Sequence, residues 1–367
     1  MIQTDFLQVY DLELTASSPV HIGNGTTFLK NNFLFDPIKG TVTIFNQEKL
    51  FALIVQTGQV DAYEQFMLGS QRDLHYFLSN ICKFSPKDWT GAIRYTLDAR
   101  HAFDCNHTLK DIHTFVRDPY GHVYIPGSSV KGALRTVLLQ KYILEDPPRN
   151  PLPFDPMERR NGSKFERQLS ERYLHTLQLD RKKAGNAVNS LMRGIQISDS
   201  IPIPDEAMIL TIKRDAHVDG SFGTGRGIVC RESIRPGTKI HMKLTLDQSI
   251  LKESITKESI LEVIDQYNAY YWDTYLCSFD KVEREAEVSY ADSLILGGGS
   301  GFFSKTVVYP YFGKEQAVRQ TSRFMQTVFK KHKHDRDLVL GISPHTMEYT
   351  NYGNENYPMG LCEVSIR

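Results

Sequence analysis

The chain has 367 residues, of which 41% are hydrophobic and 23% charged, an ordinary globular composition with ample core for two domains or one elaborated one. Lysine plus arginine equals aspartate plus glutamate at 43 each, which excludes a general polyanion-binding surface but leaves room for a local basic groove. No run of about 18 apolar residues suggests a membrane span, MIQTDFLQVY lacks the basic start and apolar centre of a secretion signal, and five scattered cysteines contain no Cys-x-x-Cys, so reduced cytoplasmic thiols are expected.

Phe6 to Leu14 alternates in part between apolar and polar residues and reads as a strand. Ser17-Ser18-Pro19 breaks it, and His21-Ile22-Gly23-Asn24-Gly25 reads as a tight glycine turn. Close glycines serve either a positive φ or the near approach of another backbone. Phe33-Leu34-Phe35 and Val42-Thr43-Ile44-Phe45 flank Asp36 to Gly40, a hairpin signal. Gln47 to Cys82 carries helical spacing for two or three helices, which either cover a sheet or form a docking surface. His101 to His113, HAFDCNHTLKDIH, tempts a metal reading. Its histidines are spaced by six, about 240° around a helix, and lack paired ligand spacing, so a polar loop or helix cap is expected and no metal.

Val123 to Lys141, VYIPGSSVKGALRTVLLQK, organises the rest. A short β-rich run ends at Pro126-Gly127, and Ser128 or Ser129 stands where a helix N-cap belongs. Val130, Leu134, Val137 and Leu138 form a core-facing stripe, while Lys131 and Arg135 lie one turn apart on another face. Backbone N–H groups, two hydroxyls and two cations near a helix start describe an anion site. The same residues also suit a plain capped strand-turn-helix in which Gly132 lets the helix pack closely. A nucleotide loop is excluded, because Ala133 and Leu134 follow Gly132 where lysine and serine or threonine are needed.

Glu145 to Gly162 is proline-rich without a period and reads as a linker, followed by a helix over Ser163 to Leu179 and the basic run Arg181-Lys182-Lys183. Strand signals resume at Gly194. Asp219 to Gly227, DGSFGTGRG, holds Arg226 in a glycine-rich hairpin, either plainly exposed or wedged against a ligand. Ile250 to Cys277 is a long helix ending in Tyr267, Tyr270, Tyr271, Trp272 and Tyr275, which pack a core or stack bases. Gly297, Gly298, Gly299, Ser300 and Gly301 allow a curl of inward N–H groups, an anion nest, with Ser304 and Lys305 at the next helix start. Lys330 to Arg336, KKHKHDR, reads as a solvated helix end, and Leu361 to Ile366 alternates as a strand that completes the second sheet.

YIPGSSVKGALR resembles the strand-turn-helix of the RAMP superfamily, the RNA-binding subunits of CRISPR–Cas complexes. HIGNG at His21, GIQISDSIPI at Gly194, RESIRPGTKI at Arg231 and LGGGSGFFSKTVVYP at Leu296 follow in the family order and span most of the chain. Order and length are most similar to the fifth-subunit family of the type III-A effector, the Csm complex, which caps the 3′ end of the guide RNA. The resemblance implies an α+β fold of two ferredoxin-like (RRM-like) RAMP domains: residues 1–145 with a helical insertion at about 47–113, a linker and basic helix at 146–190, and residues 191–367. It implies guide RNA, the adjacent backbone subunit and recruited host nucleases as partners, and no cofactor. RNA contact is expected at His21, Gly23, Gly25, Ser128, Ser129, Lys131, Arg135, Arg226, Gly297, Gly298, Gly299, Ser300, Gly301, Ser304 and Lys305. Related backbone subunits cut RNA with an aspartate after the first glycine turn. Thr26 stands near that place and Asp36 reads as a turn residue, so no catalytic residue is expected. The alternative is a metal-independent ribonuclease that processes precursor guides with His21, Tyr124 and Lys131.

Overall fold

The computed structural model describes residues 6–69, 73–100, 102, 109, 111–149, 152, 161–223, 229–282, 288–353 and 355–367. Among them the strands are β1 (Leu7–Ala16), β2 (Gly23–Phe28), β3 (Phe33–Asp36), β4 (Thr41–Phe45), β5 (Ile93–Asp98), β6 (Ile112–Phe115), β7 (Ile195–Ile197), β8 (Met208–Ile212), β9 (Arg214–His217), β10 (Cys230–Ile234), β11 (Lys239–Asp247), β12 (Ser293–Ile295), β13 (Thr346–Tyr352), β14 (Glu355–Pro358) and β15 (Leu361–Ile366). The helices are α1 (Gln47–Gln56), α2 (Val60–Leu68), α3 (Leu74–Tyr76), α4 (Pro86–Trp89), α5 (Gly127–Glu145), α6 (Asn161–Tyr173), α7 (Gln248–Leu251), α8 (Lys257–Thr274), α9 (Val308–Phe312), α10 (Lys314–Val328) and α11 (Asp337–Leu340). The class is mixed α and β, as the sequence indicates.

β1 alternates because Leu12, Leu14 and Ala16 go inward while Asp11, Glu13 and Thr15 turn the other way. It lies at the centre of a five-stranded antiparallel sheet ordered β12-β15-β1-β11-β7. Leu14 pairs with Ile240 on one side and Val364 on the other. A seven-stranded mixed sheet, β2-β6-β10-β8-β5-β4-β3, and a three-stranded one, β14-β13-β9, complete the β structure. Both large sheets take strands from each side of residues 146–190, which corrects the expectation of one sheet per half. β15 closes on β1, not on a separate second sheet, because two buried stripes more than 300 residues apart complete each other's face.

α5 crosses the five-stranded sheet, with the expected stripe of Val130, Leu134, Val137 and Leu138 buried. α8 packs beside it. Tyr267, Tyr271 and Tyr275 are buried there, and the Tyr271 and Phe303 rings stack with centroids 4.5 Å apart. That aromatic cluster is core, not an open stacking platform.

The insertion is shorter than expected. Its helices end at Trp89, and Ile93–Asp98 is β5, paired with β4 inside the seven-stranded sheet. Phe45, Leu50, Ile54, Phe66, Phe77, Leu78 and Trp89 give the insertion its own small core, and Phe66 stacks on Phe77 at 4.7 Å. Among the described residues no helix is long and apolar enough to cross a membrane.

Candidate nucleic-acid interface

Strand direction brings the predicted features together. β1, β7 and β12 all run antiparallel to a shared neighbour, β11 or β15, and are therefore parallel to one another. Their C-terminal ends point the same way. His21 follows β1, Asp199 follows β7 and Gly297 follows β12. β12 and β7 are the two edges and β1 is the centre, so three turns line one end of the sheet across about 19 Å at ordinary strand spacing.

Two of these turns touch. The Gly298 N–H donates to the His21 carbonyl at 2.7 Å. A Cβ on Gly297 would lie 1.9 Å from the same oxygen, so this glycine is required by packing as well as by its φ of +74°. The His21 ring is 5% exposed, with Nδ1 2.6 Å from the Glu232 carbonyl. A carbonyl only accepts, so Nδ1 carries the proton and Nε2 keeps its lone pair. Burial pushes the His21 pKa down to about 4, which leaves the ring neutral at pH 7. Glu232 is itself buried and accepts from the Tyr95 hydroxyl at 2.6 Å and the Phe115 N–H at 2.8 Å. Burial raises its pKa, and these two hydrogen bonds oppose the rise. Glu232 thus ties β5, β6 and β10 to the His21 segment.

Gly23 and Gly25 are exposed, and a Cβ on Gly25 would meet nothing within 4 Å. The segment is a correction in detail: instead of a tight turn, Gly23–Phe28 forms β2, with a register shift against β6 between Gly23 and Thr27. In the glycine loop, Ser300 and Ser304 are buried. Ser300 Oγ donates to the Gly297 carbonyl at 2.9 Å and Ser304 Oγ to the Ser300 carbonyl at 2.8 Å. Both hydroxyls stitch the loop together and do not face outward, contrary to the expectation. Gly299 and Gly301 have φ of +85° and +83°, and Gly301 faces open space.

At the other edge, α5 starts differently from the expectation. Pro126, not Ser128 or Ser129, is the N-cap. The Gly127 N–H donates to Asp199 Oδ1 at 2.8 Å, and a Cβ on Gly127 would lie 2.1 Å from the Ile197 carbonyl. The protein's own carboxylate already answers the helix dipole there. What remains open is the side of the helix: Ser128, Gly132 and Arg135 are exposed, Ser129 and Lys131 are half-buried, and a Cβ on Gly132 would meet nothing within 4 Å. Among the described residues Lys131 and Arg135 form no ion pair. Burial lowers the Lys131 pKa.

The glycine loop also forms one wall of a cleft of about 460 Å³, lined by Lys213, Lys305, Phe324, Phe329 and Glu348. Arg231 lies behind Gly299, whose Cβ would be 3.3 Å from Nη1, and it pairs with Glu348. Lys213 pairs with Asp215 at 3.1 Å. Lys305 is exposed and desolvation lowers its ammonium pKa. Sequence reasoning missed Arg231 and Lys213, because only the pairing of distant strands places them under the loop. Asp36 is a turn residue, accepting from the Ile38 and Lys39 N–H groups at 3.0 Å. Arg226, His101 and His107 lie outside the described residues.

The sequence profile of the RAMP superfamily matches residues 13–341. A Mycobacterium tuberculosis protein named CRISPR system Cms protein Csm5 is 26% identical over 99% of this chain and 98% of its own. Its Enterococcus italicus namesake is 25% identical over 98% of each. Among solved structures, a chain of a type III-A Csm–crRNA–target RNA ternary complex superposes with a TM-score of 0.65 at 17% identity, covering 97% of this chain and 100% of that one. The crystal structure of T. onnurineus Csm5 superposes with a TM-score of 0.58 at 16% identity, covering 96% of this chain and 99% of that one. A profile match over most of the chain, together with full-length likeness to proteins named Csm5, makes this chain a member of the RAMP superfamily.

Proposed function

We propose that the chain is a non-catalytic guide-RNA-binding subunit of a cytoplasmic type III-A CRISPR (Csm) complex. In this reading it caps the 3′ side of the guide, contacts the adjacent backbone subunit and supports guide maturation by recruiting host nucleases. The single observation that carries the RNA reading is the alignment of the His21 segment, the glycine loop and the start of α5 along one end of the five-stranded sheet. Exposed glycine backbone and the cations Lys131, Arg135 and Lys305 suit sugar–phosphate, which is common to every guide sequence. Full-length likeness to Csm5 proteins supports the complex. A nuclease role for His21 has little to work with, since its Nδ1–H is held by a main-chain carbonyl and its ring is buried.

The test is binding of end-labelled guide RNA to the purified full chain, without added divalent cations, across a salt series. Lys131→Ala with Arg135→Ala should weaken binding equally for unrelated guides and lower the salt slope by about 0.7 per lost phosphate contact on a single strand. Bound RNA should run intact on a denaturing gel. Discrete shortened products, or a loss confined to one guide sequence, would overturn the reading.

A further inference from the structure

On the lining of the glycine-loop cleft, one member of the basic stretch read as a solvated helix end turns inward while its neighbours stay exposed. His334 is 3% exposed, and Asp337, at the start of α11, is fully buried. His345, just before β13, completes the group. His334 Nδ1 lies 3.1 Å from Asp337 Oδ2, and His345 Nδ1 lies 2.5 Å from Oδ1. One donor atom from each of the three residues lies within 4.8 Å of the others. Donor atoms this close are within reach of one ion, which binds imidazole nitrogen and carboxylate oxygen at about 2.0–2.2 Å.

The charge balance points the same way. Asp337 is fully buried, and its two carboxylate oxygens lie within hydrogen-bond reach of His334, His345 and the Ser343 hydroxyl. Among the described residues its ion-pair partners are the two histidines alone, with no lysine or arginine. A carboxylate charge in the interior is costly unless it is paired or bound to a metal, and among the described residues no lysine or arginine pairs with this one. A divalent ion would offset it.

We propose that His334, Asp337 and His345 bind a divalent transition metal ion of the zinc class. Two imidazoles and one carboxylate favour that class over magnesium or calcium, which prefer all-oxygen sets. Three protein ligands leave a fourth position. His217 and His332 stand beside the group, their rings stacked 6.0 Å from His345 and 6.1 Å from His334. The ion sits in the wall between two clefts: His334 lines the glycine-loop cleft, and His345 lines a second cleft of about 480 Å³. It pins the segment after α10 to the edge of β13.

The test needs no RNA, so its failure leaves the guide-binding proposal standing. Purified full chain is stripped with chelator, dialysed and titrated with Co²⁺, then Zn²⁺. The expected result is one Co²⁺ per chain with visible ligand-field bands, displacement by Zn²⁺, and a higher Tm with Zn²⁺ but not with Mg²⁺. His345→Gln keeps a polar group beside Asp337 at the most accessible ligand, and should weaken uptake roughly a hundredfold while leaving the circular dichroism of the metal-free protein unchanged. If His345→Gln does not fold, the wild-type Co²⁺ stoichiometry and spectrum decide alone. No stoichiometric uptake by the wild-type chain, or uptake unchanged in a folded His345→Gln, overturns the proposal and leaves a hydrogen-bonded His–Asp–His cluster.

Discussion

The glycine loop and the start of α5 look alike in sequence, and the structure uses them differently. In each, the first glycine is jammed against a carbonyl: Gly297 against His21 and Gly127 against Ile197. In each, a later glycine faces open space, Gly301 and Gly132. The difference lies in what occupies the exposed N–H groups. Asp199 brings a negative charge to the start of α5, so anion attraction there moves to the side of the helix at Lys131 and Arg135. Among the described residues the glycine loop has no such carboxylate on its N–H groups, and its hydroxyls are spent internally. Glycine at an anion-type turn therefore has two roles, one of packing and one of access, and neighbours distant in sequence decide which.

The largest expected effect separates those roles. Gly297→Ala forces a Cβ into the His21 carbonyl at a φ of +74°, and should cost roughly 3 kcal/mol or more in urea unfolding. A cost below about 1 kcal/mol would show that the loop is not held by this contact.

Next comes pH. His21 has its pKa lowered to about 4 in the fold from an ordinary 6.5, so the unfolded chain takes up its proton first as pH falls. Its contribution is constant above pH 6.5 and declines at about 1.4 kcal/mol per unit down to about pH 4. His21→Asn, which can still donate to the Glu232 carbonyl, should flatten the stability profile in that window by about 2 kcal/mol at pH 5. Profiles that stay parallel would place the titrating group elsewhere.

Gly132→Ala acts in the opposite sense on two readouts. It should stabilise α5 by about 1 kcal/mol, since the site is an open helix position, and weaken guide RNA binding several-fold by blocking close approach. Unchanged affinity would assign Gly132 to neither role. The smallest effect is expected from Asp199→Asn, which can keep the hydrogen bond to Gly127 but drops the charge. Guide affinity should rise roughly two- to fivefold at low salt.

Much of this was legible in the chain. The apolar stripe of α5 and the hairpin around Asp36 follow from spacing alone, whereas the α8 tyrosines were open to core packing or base stacking until the structure buried three of them. The glycine loop and His21 were visible as candidates, but their contact was not, because it depends on β1 and β12 sharing β15 as a neighbour. Pro126 displaced Ser128 as the cap because the capping carboxylate comes from Asp199, which no local pattern reveals. His334 was misread because a run of six charged or basic neighbours carries no apolar period, although one member turns inward to Asp337.

The central place of β1 also sets an order in time. Leu14 waits for Ile240 and then for Val364, partners that lie over about 200 residues downstream. At roughly 5–20 residues per second, a growing chain carries β1 unpaired for on the order of ten seconds or longer. The end of the sheet that gathers the candidate RNA contacts cannot form until β15 has been made, so a half-synthesised chain has no assembled site with which to capture a guide.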